Sequence, residues 1–257
     1  MRIALILWLA LSIPLSAQQL KLVETQPLKA DRFLGYDSYG NLLYELESAI
    51  YKTGPLGEFV FQDYQLGPIH SVDMINPLNV LVFYRDANTV VFLDNRLNEI
   101  ERINLSTQAL ALNVDAATNT GNNRLWVFNV DTQQLETYNY RNQRQTIVSQ
   151  PTPGEVLGMT SDFNYCYLLM EDGLHAFNVY GSALWSLPTQ GITQLVHQKR
   201  DLVLVSETGL YYLNRERPEL IQLEDPEIHC KDLQLTKDFL YIYDGDNIHQ
   251  FTLTQPK

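Results

Sequence analysis

Cysteine, positive charge and catalytic signatures are all scarce in this sequence, and each shortage removes a class of function. Two cysteines in 257 residues exclude a disulfide-stapled scaffold. Cys166 and Cys230 stand in the strand-like segments "NYCYLLM" and "EIHCKDLQL". A bridge between them is conceivable in an oxidising compartment, but the repeat described below puts them in non-adjacent units. Two buried free thiols are the favoured reading. Lysine and arginine number 18 against 30 acidic residues, giving a net charge of −12 and no locally basic window. Phosphate binding needs a basic footprint, so a nucleic-acid partner is rejected.

The chain also lacks HExxH, a glycine-rich phosphate loop and the G-x-S-x-G elbow; "YGSAL" (Tyr180 to Leu184) is not such an elbow. No local motif calls for a cofactor or a metal. Paired carboxylates brought together from distant segments leave no local trace, so glycoside chemistry stays open. Long apolar runs are missing except at the start. There Arg2, the stretch Ile3 to Ile13 broken only by Ser12, Pro14, and the small pair Ser16-Ala17 read as a signal peptide over 1–17. The run is too short to span a bilayer. No cysteine follows the expected cleavage before Gln18, which excludes a lipoprotein anchor at that position.

What is present, throughout, is short β-rich runs between Asn, Asp, Gly and Pro turns. Around "IHSVDMINPLNVLVFYRDANTVVFLDNRLNEIERINL" four strands and three turns can be written. The layout recurs before it in "RFLGYDSYGNLLYELESAIYKTGPLGEFVFQD". It recurs after it in "LALNVDAATNTGNNRLWVFNVDTQQLETYNYRNQRQTIVS", where a longer first turn is expected, and then twice more. The last copy, "HCKDLQLTKDFLYIYDGDNIHQFTLT", holds three strands, and "QLKLVET" near the start is a spare fourth. Units of about 40 residues with a closing N-terminal strand predict a six-bladed, all-β propeller over 18–257, in one domain. A plain sandwich predicts neither the period nor the remainder. In a propeller the middle strands are covered on both faces, as "LVFY", "LWVF", "CYLLM", "LVLV" and "LYIY" allow.

Candidate site residues follow from that ring. Asp37, Asp73, Asp115 and Asp162 recur where inner strands end, with His197 and Thr236 near that point in the other two blades. They read either as turn caps, the favoured meaning, or as an acidic channel mouth. His70 and His197 fall near inner strands and are candidates to meet in the channel. "YDGDNIH" (Tyr243 to His249) reads as a hairpin turn rather than a calcium loop. Tyr36, Tyr39, Tyr64, Tyr84, Tyr140 and Tyr180 lie in turns or near strand ends and are candidate interface residues. A convergence of charges in the channel would point to an enzyme or sugar-binding site. An apolar, aromatic rim would point to a protein partner.

The Asn76-Pro77 turn, the strand Leu81 to Tyr84, the turn Leu93-Asp94-Asn95 and the segment Tyr36 to Leu43 resemble a group of small exported β-propeller proteins of Bacteroidota. The resemblance covers most of the chain and brings no catalytic residues. It implies an envelope protein accessory to an outer-membrane machine such as type IX secretion or outer-membrane assembly. No sorting domain follows the last strand, so a periplasmic location is expected rather than the cell surface.

Overall fold

A computed structural model describes residues 20–55, 57–108 and 111–253. The expected signal peptide lies outside them. β1 (Leu20–Pro27) comes first, followed by five complete antiparallel sheets. The first blade is β2 (Arg32–Tyr36), β3 (Leu42–Leu46), β4 (Ala49–Gly54) and β5 (Gly57–Gln62). The second is β6 (Ser71–Asp73), β7 (Val80–Tyr84), β8 (Thr89–Leu93) and β9 (Glu99–Asn104), followed by a single 3₁₀ turn at Leu105–Thr107. The third is β10 (Val114–Gly121), β11 (Arg124–Asn129), β12 (Gln134–Asn139) and β13 (Arg144–Ile147). The fourth is β14 (Val156–Ser161), β15 (Tyr165–Met170), β16 (Gly173–Asn178) and β17 (Ala183–Leu187). The fifth is β18 (Ile192–Gln198), β19 (Asp201–Ser206), β20 (Gly209–Asn214) and β21 (Arg217–Gln222). The sixth contains β22 (Asp232–Leu235), β23 (Leu240–Tyr243) and β24 (Asn247–Leu253), and β1 pairs with β24 from Leu20↔Leu253 to Pro27↔Asn247 to complete it. This is the six-bladed propeller, closed by the strand that the sequence held in reserve.

Side-chain alternation explains why the middle strands carry unbroken apolar runs. Along β7, Val80, Val82 and Tyr84 pack towards the first blade, while Leu81 and Phe83 pack towards the third. Along β15, Cys166, Leu168 and Met170 face the third blade and Tyr167 and Leu169 the fifth. Each sheet is buried on both faces, so a period of two yields two apolar sets rather than one. The core is accordingly six clusters, one per seam between neighbouring blades.

Two expectations need correction. The third blade has no longer first turn: β10 runs on to Gly121 and turns through Asn122 and Asn123, both in left-handed backbone (φ 53° and 58°), which asparagine tolerates. The free thiols are Cys166, which is buried, and Cys230, which is only half-buried beside β22.

Candidate functional site

Antiparallel connection fixes what each face of the ring carries. The turns after inner strands and those between third and fourth strands share one face, here called the turn face. The remaining connections lie on the other. A cavity of about 700 Å³ opens on the turn face and is lined by the ends of all six inner strands. Asp37, Asp73, Asp162 and His197 all line it.

The acids are held by the fold around them. Asp37 accepts from the backbone N–H of Tyr39 and Asn41, both at 2.9 Å, and from Lys52 Nζ at 2.8 Å in a pair almost wholly out of water. Burial alone would raise its pKa, but the bonds from Lys52 and Asn41 outweigh it and hold the carboxyl below its ordinary value. Asp73 accepts from Ile75 N–H at 2.8 Å in its own turn and from Asn119 N–H at 2.7 Å on the next blade. There burial wins, and its pKa is raised despite those donors. Asp162 caps the N–H groups of Asn164 and Tyr165 at 2.7 Å. Thr236, at the matching turn of the sixth blade, caps Phe239 N–H at 3.1 Å. His197 Nδ1 lies 2.8 Å from Thr160 Oγ, and its ring packs 5.3 Å from that of Tyr167. Burial, helped by Arg215, lowers its pKa to about 4 against the opposing pull of Asp162, so the imidazole is neutral at pH 7.

Asp115 and His70 do not join this group. Asp115 is the second residue of β10, at the opposite end of its inner strand, and pairs with Arg85 at 3.3 Å. The expected equivalence failed because the strand was placed too early by the length of that supposed longer turn. His70 precedes β6 and stacks edge-on to Phe83 at 5.8 Å, so it does not meet His197 in the channel. Residues not anticipated include Thr118 and Ser161, whose hydroxyls are hydrogen-bonded to one another across the channel wall, and Gln234, Lys199 and Lys237. The lysines were legible only as charges in tight turns, "QKRD" and "TKD".

The tyrosines separate as well. Tyr39 and Tyr180 stand on the turn face, 65% and 90% exposed. Leu78 and Phe163, on the turns after the inner strands of the second and fourth blades, are exposed on the same face at 54% and 43%, Phe163 leaning over Gly121 of the third blade. Tyr64 is exposed on the opposite face, in the link between β5 and β6. Tyr36 is half-buried against Tyr241, and Tyr140 against Phe92. Tyr84 is a correction: it is fully buried in the seam between the first and second blades, because β7 is covered on both faces. Among the described residues no three His, Cys, Asp or Glu side chains form a metal-binding group. Asp244 caps Asp246 and Asn247 N–H and pairs with His249 at 2.7 Å, as a hairpin turn requires.

No family model and no curated protein sequence matches the chain. Solved structures do. They include virginiamycin B lyase of Staphylococcus aureus (TM-score 0.61, 12% identity, 86% of this chain and 80% of that one). A member of the DUF4221 family from Bacteroides vulgatus matches at TM-score 0.62 and 10% identity, over 93% of this chain and 99% of that one. PorZ, a component of the type IX secretion system of Porphyromonas gingivalis, matches at 0.52 and 17%, over 86% of this chain and 32% of that one. At such identities the likeness is one of fold: the chain is a six-bladed β-propeller, on a scaffold that serves both enzymes and secretion components.

Proposed function

We propose that the chain is a non-enzymatic protein-interaction scaffold of the cell envelope, exported to the periplasm and docked on an outer-membrane secretion or assembly complex. The observation that carries this reading is the turn face, where Tyr39, Leu78, Phe163 and Tyr180 stand exposed while the channel acids are absorbed in capping their own turns. Exposed aromatic side chains on a rigid rim are the anchors of protein interfaces. The leader-like N-terminus supports export, and among the described residues no helix is long and apolar enough to cross a membrane. PorZ, described as an essential bacterial surface component of the type IX system, supports the choice of machine through fold alone.

A second reading, a carbohydrate-binding protein or hydrolase at the channel mouth, draws on the convergence of Asp37, Asp73, Asp162 and His197 in one cavity. Affinity capture of the tagged protein from envelopes in mild detergent, followed by mass spectrometry, separates the two. Stoichiometric recovery of an outer-membrane barrel or secretion component is the expected result. Recovery of a lone monomer that binds or cleaves a sugar would replace the first reading with the second.

A further inference from the structure

Three acids at the channel mouth occupy the same place in their blades. Each caps the N–H two residues on: Asp37 that of Tyr39, Asp73 that of Ile75 and Asp162 that of Asn164. Two of them have a cation at hand. Asp37 holds Lys52 Nζ at 2.8 Å, and Arg215 lies 4.0 Å from Asp162. Asp73 differs: among the described residues no ion pair includes it. Protein nonetheless encloses it closely enough to raise its pKa, the opposite of the shift at Asp37.

The donors that Asp73 does have are neutral. Oδ1 takes the Ile75 N–H at 2.8 Å, Oδ2 takes the Asn119 N–H of the third blade at 2.7 Å, and the Thr118 hydroxyl also bonds to it. Thr118 is bonded in turn to Ser161 of the fourth blade. A carboxylate and two hydroxyl oxygens therefore line the cavity from the second, third and fourth blades, with Val72, Met74 and Met159 as an apolar flank. That set suits an alkylammonium, whose head has three donors and no acceptor and whose methylene stem needs apolar cover. An enclosed carboxylate is stabilised most by a cation that shares its enclosure. The other charges at the mouth do not fill that role. Lys199 and Lys237 are exposed on turns of the fifth and sixth blades, and Asp238 follows Lys237 at the rim. His197, on the fifth blade, is neutral at pH 7.

We propose that the channel mouth binds an organic ammonium group, held by Asp73 together with the Thr118 and Ser161 hydroxyls. The inference goes beyond both readings above, because a lysine side chain of a docked partner and a free alkylamine carry the same group. A bare calcium ion fits less well: one carboxylate and two hydroxyls fall short of the roughly six oxygen ligands it takes, and the apolar flank would stay unused.

Calorimetric titration of the full chain with n-pentylamine, beside the uncharged n-pentanol, tests it. The amine should bind and raise the melting temperature, and the alcohol should do neither. Asp73→Asn keeps an acceptor for the capping bonds and removes the charge, so amine affinity should fall at least about tenfold. Thr118→Val leaves the carboxylate in place and should weaken binding by a smaller factor. Asp94→Asn, which alters a like cap outside the cavity, should leave it unchanged. Affinity should also fall on acidification, as Asp73 takes a proton. An alcohol that binds as well as the amine, or a folded Asp73→Asn chain that binds the amine as the parent does, would overturn the proposal. So would displacement of the amine by an equal concentration of potassium or calcium. Should Asp73→Asn unfold the chain, the amine and alcohol comparison on the parent decides alone. A blocked lysine tripeptide that binds at least tenfold more tightly than pentylamine assigns the site to a partner's side chain, and the reverse order assigns it to a free amine.

Discussion

The seam between the second and third blades and the seam that closes the ring are built from different materials. Among the described residues the former buries twelve side chains, from Leu81 and Phe92 on one blade to Val127 and Tyr138 on the other. The closing seam, between sixth and first blades, buries four of them: Ala30, Phe33, Tyr243 and Ile248. It is stitched instead by directed bonds. Gln234 on β22 accepts from Tyr36 N–H at 2.8 Å and donates to Tyr36 C=O at 2.7 Å, and Asp232 accepts from Phe33 N–H at 2.9 Å. Gly35 lies under Gln234 at φ +124°, and a Cβ there would come within 2.6 Å of the amide. The difference has a physical logic. The second and third blades are joined by a short link, so their adjacency is given and apolar burial suffices. In the closing seam the inner strands β22 and β2 lie about 200 residues apart, and although β1 runs into β2 through Leu28 to Asp31, the register of β22 against β2 has no such guide. Hydrogen bonds, being directional, supply that register.

The most severe way to break the apolar seam is Val127→Asp. It puts an unpaired carboxylate among fully buried neighbours and should cost on the order of 4 kcal/mol or more. A urea midpoint unchanged by the substitution would remove the claim that this seam is dry. A smaller test lies at the channel end of the seam between the fourth and fifth blades. His197 stays neutral down to about pH 4 in the folded chain, while an unfolded histidine takes its proton near pH 6.5. Between those values the unfolded state binds more protons, so stability is full above about 6.5 and falls as the pH drops towards 4. The loss attributable to His197 is roughly 2–3 kcal/mol at the acid end. Denaturant titrations across that window should show a shallower decline in His197→Gln; parallel profiles would mean that the histidine is already hydrated.

The contrast also explains what the sequence could disclose. Strand count, the four-strand period and the closing role of "QLKLVET" follow from alternation and turn residues, which are local. The capping of their own turns by Asp37 and Asp162 was readable for the same reason. The Asp37–Lys52 pair and the Gln234 latch join residues from separate segments, and no spacing in the chain announces them. Asp115 shows the remaining weakness: in "NVDAATNTGNN" the strand residues are small and polar, so a turn signal was read where β10 continues.

Two buried tyrosines sharpen the comparison at its finest scale. In the closing seam the Tyr243 hydroxyl accepts from Ala30 N–H at 3.3 Å and lies 2.8 and 2.6 Å from the Ala30 and Gly245 carbonyls. Tyr243→Phe strands those groups and should cost about 1–3 kcal/mol, read as a lower urea midpoint with an unchanged slope. Tyr84, in the apolar seam between the first and second blades, has a buried hydroxyl with no hydrogen-bond partner among the described residues. Tyr84→Phe removes a polar atom that contributes no bond there, so its midpoint should stay within about 0.5 kcal/mol of the parent or rise. If the two substitutions cost the same, the Tyr243 hydroxyl is not what distinguishes the closing seam, and the contrast rests on the Gln234 and Asp232 bonds.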